Sequence, residues 1–207
     1  MSYTNVDNGQ PVLPVGVVQS TDFLGRDPRK GYNGSSSRWP AAMAAVDSSI
    51  TVGQFIGRDL TLDNLNQVTS LDQIDSPTIA NVVGATPRNA INGYPQPITV
   101  ANVAINGFVP AGYNQAVSIY QEGVLYIGCC DTISAAAIQG TLHIATVNFG
   151  LDTDTPIYAG MLVAAGTTDA APLALTGVAS LSAFAGDVTG GYVWGDVVPV
   201  QFNFINS

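Results

Sequence analysis

Gln115-Ala-Val-Ser-Ile-Tyr-Gln-Glu-Gly-Val-Leu-Tyr-Ile127 is the stretch that decides the fold class. β-Branched and aromatic residues fill it, and Gln121-Glu122-Gly123 interrupts it, so it reads as a β-hairpin with its turn at 121–123. Thr141-Leu-His-Ile-Ala-Thr-Val-Asn-Phe149 continues the theme by alternating polar and apolar residues, the period of a half-buried strand. Beyond it, apolar runs at 157–158, 161–164, 178–184, 191–194 and 197–204 are separated by Gly, Thr and Asp. Short strands between turn signals, without sustained helical periodicity, predict a mainly β chain built as a sandwich or barrel.

Toward the N-terminus the pattern loosens. Residues 49–115 predict short strands at 49–52, 54–56 and 59–63, and a short helix over 64–74, where Leu65, Val68, Leu71 and Ile74 recur every three residues. Ala90-Ile-Asn-Gly-Tyr94 and Ala104-Ile-Asn-Gly-Phe108 repeat one pattern. Each places Asn-Gly after a β-branched residue, the pair that best tolerates a tight hairpin turn. Residues 1–48 carry Pro11, Pro14, Pro28 and Pro40 among five glycines, which predicts an extended, irregular arm. Within it 13–18 reads as an edge strand, and 39–46 as a helical turn or two started by Pro40. The organisation expected is an arm over 1–48 and a β-rich domain over 49–207, divisible at most into 49–115 and 116–207.

Composition narrows the function. Of 207 residues only 10% are charged, against about 25% in an average globular protein. There is one Lys, one Glu and one His, so the side chains that do most acid–base and metal chemistry are nearly absent. The expectation is a binding or structural protein, not an enzyme. All six basic residues, Arg26, Arg29, Lys30, Arg38, Arg58 and Arg88, fall in the first 88 positions, while seven acids and no Lys or Arg follow. Nucleic acid demands clustered cations, so it is not an expected partner. No run of about 18 apolar residues suggests a membrane span, and the first residues lack the charged start and apolar run of a secretory signal.

Single residues add little chemistry. His143, between Leu142 and Ile144, occupies the opposite face of its strand from both and reads as a surface or strand-pairing histidine. Cys129 and Cys130 are adjacent, so in a strand their thiols point to opposite faces. A mutual disulfide is then sterically poor, and two buried reduced thiols are expected. Asp152 and Asp154 are close enough to share a cation, but no calcium-loop pattern follows them. They read as solvated turn acids, and no metal or cofactor is expected. Trp194 reads as a core residue.

A chain with so few charges must be coated by Asn, Thr, Ser, Gln, Gly and Ala, a surface suited to large, fixed contacts. Val117-Ser-Ile-Tyr-Gln-Glu-Gly-Val-Leu-Tyr-Ile127 resembles the strand–Gly–strand element of small bacteriophage head decoration (structural cement) proteins. Ala159-Gly-Met-Leu-Val163 resembles their following strand, and Val198-Pro-Val-Gln-Phe-Asn-Phe204 their closing one. The resemblance implies a β-rich subunit made in the host cytoplasm and carried on the outside of the virion. There it bridges subunits of the major capsid protein, as a homo-oligomer (trimer or dimer), without catalytic residues. The partner-binding residues expected are Phe23, Leu24, Tyr32 and Trp39 as anchors, with Arg26, Arg29, Lys30 and Arg38 setting orientation, since aromatics and Arg carry interface energy. The alternative is a tail-associated or cell-surface β-sandwich that binds glycan or receptor through aromatics near Tyr94, Tyr113 or Trp194.

Overall fold

A computed structural model describes residues 5–6, 10–11, 43–45, 50, 53–61, 67–87, 116–117 and 119–205. Among these, the strands are β1 (Asn5–Val6), β2 (Gln10–Pro11), β3 (Met43–Ala45), β4 (Phe55–Gly57), β5 (Gln67–Val68), β6 (Val82–Ala85) and β7 (Ala116–Val117). They continue with β8 (Glu122–Gly128), β9 (His143–Ile144), β10 (Leu162–Val163), β11 (Leu173–Ala174), β12 (Ala179–Leu181) and β13 (Val197–Asn203). Helix is confined to α1 (Ala135–Gln139) and a few 3-10 turns among the described residues. The strands pair antiparallel throughout, except β3 with β5. The chain is mainly β.

The longest ladder is β8 with β13, matched from Glu122↔Asn203 to Gly128↔Val197, with β12 on the far side of β13. This corrects the hairpin expected at 115–127. Glu122 and Gly123 are strand residues, not a turn, and β7 pairs with β3 instead of doubling back onto β8. The physical reason lies in β13. Val198, Val200, Phe202 and Phe204 all face one core, and Phe202 sits across from Gly123, which has no side chain. The Phe202 ring meets Phe55 edge-on at 5.3 Å and Phe204 at 5.9 Å. Burying four such side chains is worth roughly 1.5–3 kcal/mol each, which outweighs a local turn signal.

Neighbouring residues of the central strands feed two different cores. Leu125, Ile127 and Cys129 enter one with Phe55 and Val198, while Tyr126 and Cys130 enter the other with Ile56, Met161 and Val197. Strand alternation therefore leaves β4, β8 and the first half of β13 each covered on both faces. One close approach knits β4 to a later segment. The Phe55 N–H donates to the Gly160 carbonyl (2.8 Å), and a Cβ at Gly160 would lie 2.0 Å from the Phe55 carbonyl oxygen, at φ +82. Only glycine fits there.

Three further local expectations are corrected. Residues 59–61 form a turn, because the Asp59 carboxylate accepts from both the N–H and the hydroxyl of Thr61 (2.8 and 2.7 Å), an Asx-type alternative to strand pairing. The helix expected over 64–74 is β5 followed by a 3-10 turn at Leu71–Gln73. Its three-residue repeat is still a burial repeat, since Val68, Leu71 and Ile74 are all in the core. Within 39–46, Met43–Ala45 is a strand, stabilised by pairing with both β5 and β7 rather than by local helix propensity. The edge strand expected at 13–18 and both Asn-Gly repeats lie outside the described residues.

Candidate interaction surface

The partner-binding residues expected from the sequence (Phe23, Leu24, Arg26, Arg29, Lys30, Tyr32, Arg38 and Trp39) all lie outside the described residues, as do Tyr94 and Tyr113. The other singled-out residues are placed. Leu142 and Ile144 are buried in one core while His143 is half-buried on the opposite side, its Nδ1 3.0 Å from the Thr141 carbonyl. Cys129 and Cys130 are both free thiols, each in a different core. Burial pushes each up to about 12, and the nearby Asp131 carboxylate adds to the shift at both. Thiols held protonated in this way are inert toward oxidation and metals. Trp194 is half-buried against the second core and donates its indole N–H to the Pro156 carbonyl (2.9 Å).

The carboxylates of Asp131 and Asp196 are committed to structure. Asp131 accepts from the Thr132 N–H (2.7 Å), the Ala164 N–H (3.1 Å) and the Thr167 hydroxyl, tying the segment after β8 to the loop after β10. Asp196 accepts from the Val193 N–H (2.8 Å). A cleft of about 270 Å³ lies between α1, β9 and β10, lined largely by Ile133, Ala137, Leu142, Leu162 and Ala165, with Thr141 and His143 as its polar rim. Among the described residues, no three His, Cys, Asp or Glu side chains come together as a metal-ligating group.

The feature that sequence reasoning missed is a projecting tip at 147–157. Phe149 and Ile157 exchange both backbone hydrogen bonds (3.0 and 2.9 Å), and the chain turns between them at 150–153. There the Thr153 N–H and hydroxyl both donate to the Gly150 carbonyl (2.9 and 2.7 Å). Gly150 adopts φ +62, and Asp152 and Asp154 stand exposed in the turn. On this tip the alternation is inverted. Val147, Phe149 and Leu151 point to solvent at 36%, 49% and 58% exposure, whereas Asn148 points inward. Its Oδ1 accepts from the Ala159 N–H (2.8 Å) and its Nδ2 donates to the Asp72 carboxylate (2.5 Å), 76 residues away in sequence. The result is a row of three apolar side chains held outward by a polar anchor, with acidic residues at its end and base. Other large apolar side chains also stand in solvent: Leu60, Phe184, Val193 and Ile205.

No family model matches this chain, and no curated protein matches it in sequence. Among solved structures, the capsid of Myoviridae Phage XM1 contains a chain similar to it at a TM-score of 0.48 and 16% identity, over 99% of this chain and 100% of that chain. Among the described residues no helix is long and apolar enough to cross a membrane.

Proposed function

We propose that this chain is a structural subunit of a bacteriophage particle, carried on the outside of the capsid, where it bridges subunits of the major capsid protein and catalyses nothing. The observation that carries the reading is the surface. Six large apolar side chains, Leu60, Phe149, Leu151, Phe184, Val193 and Ile205, are between 42% and 58% exposed on a chain only 10% charged. Such a surface holds a free monomer apart from its neighbours poorly and suits permanent contact. The resemblance of 117–127, 159–163 and 198–204 to cement proteins directs that contact to a phage head. β8 and β13, which overlap two of those stretches, form the longest ladder of the fold, so the resemblance falls on its framework.

The mechanism is differential affinity. A subunit that binds only the assembled lattice stabilises that lattice by mass action, and many identical contacts add through multivalency. Residues 1–48, with the chain's basic cluster and several aromatics, supply reach to neighbouring subunits in a dimer or trimer. The glycan-binding alternative loses ground at Trp194, whose indole is half-buried and whose N–H is already bonded to Pro156. The test is add-back. Purified chain mixed with particles lacking it should bind saturably and raise the temperature at which they open. Removing residues 1–42, which leaves β3 in place, should abolish that binding. Absence of binding by the full chain overturns the proposal.

A further inference from the structure

We propose that the cleft between α1, β9 and β10 receives the Phe184 side chain of a second copy of this chain, in a reciprocal pair. The inference rests on the reading of the chain as an oligomeric subunit, and not on where that oligomer sits. The backbone around Phe184 is clamped so that its ring projects. It lies in the 3-10 turn Ala183–Ala185, where the Ala185 N–H donates to the Ser182 carbonyl (3.0 Å) and the Phe184 N–H to the Ser182 hydroxyl (3.3 Å). Ala185 is buried in the core, while the Phe184 ring is 52% exposed. An aromatic ring held in water forfeits a large apolar burial, which contact with another surface recovers.

The cleft matches that ring in size and chemistry. The small, exposed residues Ala137, Gly140 and Ala165 form its mouth over buried Leu142 and Leu162. Its volume of about 270 Å³ suits one ring, whereas the row Val147, Phe149 and Leu151 is three side chains long. Phe184 is not among the residues that line it, so the cleft is not filled by the ring of its own molecule. Ring and cleft are also neighbours: α1 is one wall of the cleft and packs against β12, which leads directly into the turn that carries Phe184. A knob beside a hole is what a two-fold axis makes self-complementary. Charge agrees. Among the described residues the basic side chains are Arg58 and His143, and His143 stands on the rim of the cleft. Asp187, in the segment just beyond the knob, is exposed, and the bond it accepts from the Thr189 N–H (2.9 Å) holds its carboxyl below the usual range. A docked knob brings that carboxylate toward the imidazole and favours its protonated, cationic form.

Sedimentation equilibrium of the full chain, without particles, is the test, and the parent should associate as a pair. F184S removes the knob, and A137E sets a charge in the mouth of the cleft at an exposed helical position. Each should weaken association by roughly tenfold or more, because a two-fold axis counts every loss twice, while far-ultraviolet circular dichroism stays that of the parent. Mixing the two variants decides between a lost contact and a lost fold. The Phe184 of A137E then meets the open cleft of F184S, one of the two contacts returns, and mixed pairs should form more tightly than pairs of either variant. Independently, benzoylphenylalanine placed at 184 and irradiated in a one-to-one mixture of ¹⁵N-labelled and unlabelled chain should link across copies to residues 136–143 or 162–165. A parent of any other stoichiometry, undiminished association in either folded variant, no gain on mixing, or links elsewhere would each overturn the inference. None of these outcomes bears on whether the chain occurs in particles.

Discussion

β13 and the 147–157 tip are both written in alternating residues, yet they place their apolar side chains on opposite sides. In β13, Val198, Val200, Phe202 and Phe204 face a core while Gln201 and Asn203 are exposed. On the tip, Val147, Phe149 and Leu151 face solvent while Asn148 is turned in, bonded to Ala159 and Asp72. Alternation states that two faces of a strand differ. Which face is buried depends on what the neighbouring chain offers: in β13 an apolar wall from Phe55 and β8, on the tip a carboxylate and a backbone N–H.

The comparison can be broken most forcefully at the wall. Phe202→Ala should cost about 3–5 kcal/mol by denaturant unfolding, because it opens a cavity beside Phe55 and Phe204. Gly160→Ala belongs in the same range, since its Cβ would strike the Phe55 carbonyl and its φ is left-handed. Gly190→Ala, which would meet nothing within 4 Å, should stay within about 0.5 kcal/mol of the parent.

Burial on both faces also predicts a pH dependence. The ordinary thiol value is 9.0, and burial pushes Cys129 and Cys130 up to about 12. Between those values the unfolded chain has lost its thiol protons while the folded chain keeps them. Stability therefore falls with rising pH from about 9 to about 12, by up to about 1.4 kcal/mol per pH unit per thiol, and is indifferent to these groups below pH 9. Unfolding curves for C130A across that window should show a shallower slope. The same burial predicts that neither thiol reacts with a disulfide reagent until the chain unfolds.

The anchor of the tip gives a smaller effect. Asn148→Ala leaves the Ala159 N–H and the Asp72 carboxylate short of a partner, a loss of about 1–3 kcal/mol, and should accelerate hydrogen exchange at Ala159. Least of all, Leu151→Ser removes an exposed side chain and should leave thermal stability within about 0.5 kcal/mol. A large loss there would mean that the row is covered within its own molecule.

What the sequence made legible follows from these particulars. The β class, the opposite facing of Cys129 and Cys130, and the shared face of Leu142 and Ile144 all follow from period-two geometry, which is local. The partner of β8 was not legible, because Gly123 supports a turn as readily as a place opposite Phe202, and only the distant C-terminal strand decides between them. The Leu65–Ile74 repeat correctly marked burial at Val68, Leu71 and Ile74 but not its backbone, since a strand followed by a 3-10 turn can bury the same spacing. The outward row escaped because nothing local announces that Asn148 has a partner at Asp72. The interface residues expected in the arm, Phe23 to Trp39, rest on charge and aromatic content alone.

The central claim, that this chain is a structural part of a phage particle, is most directly tested by quantitative mass spectrometry of purified particles from the source lysate. The measurement is the number of copies of this chain per copy of the most abundant shell protein. A ratio of one, or a simple fraction of it, is the predicted result and places the chain on the capsid lattice. Complete absence from the particles would contradict the account.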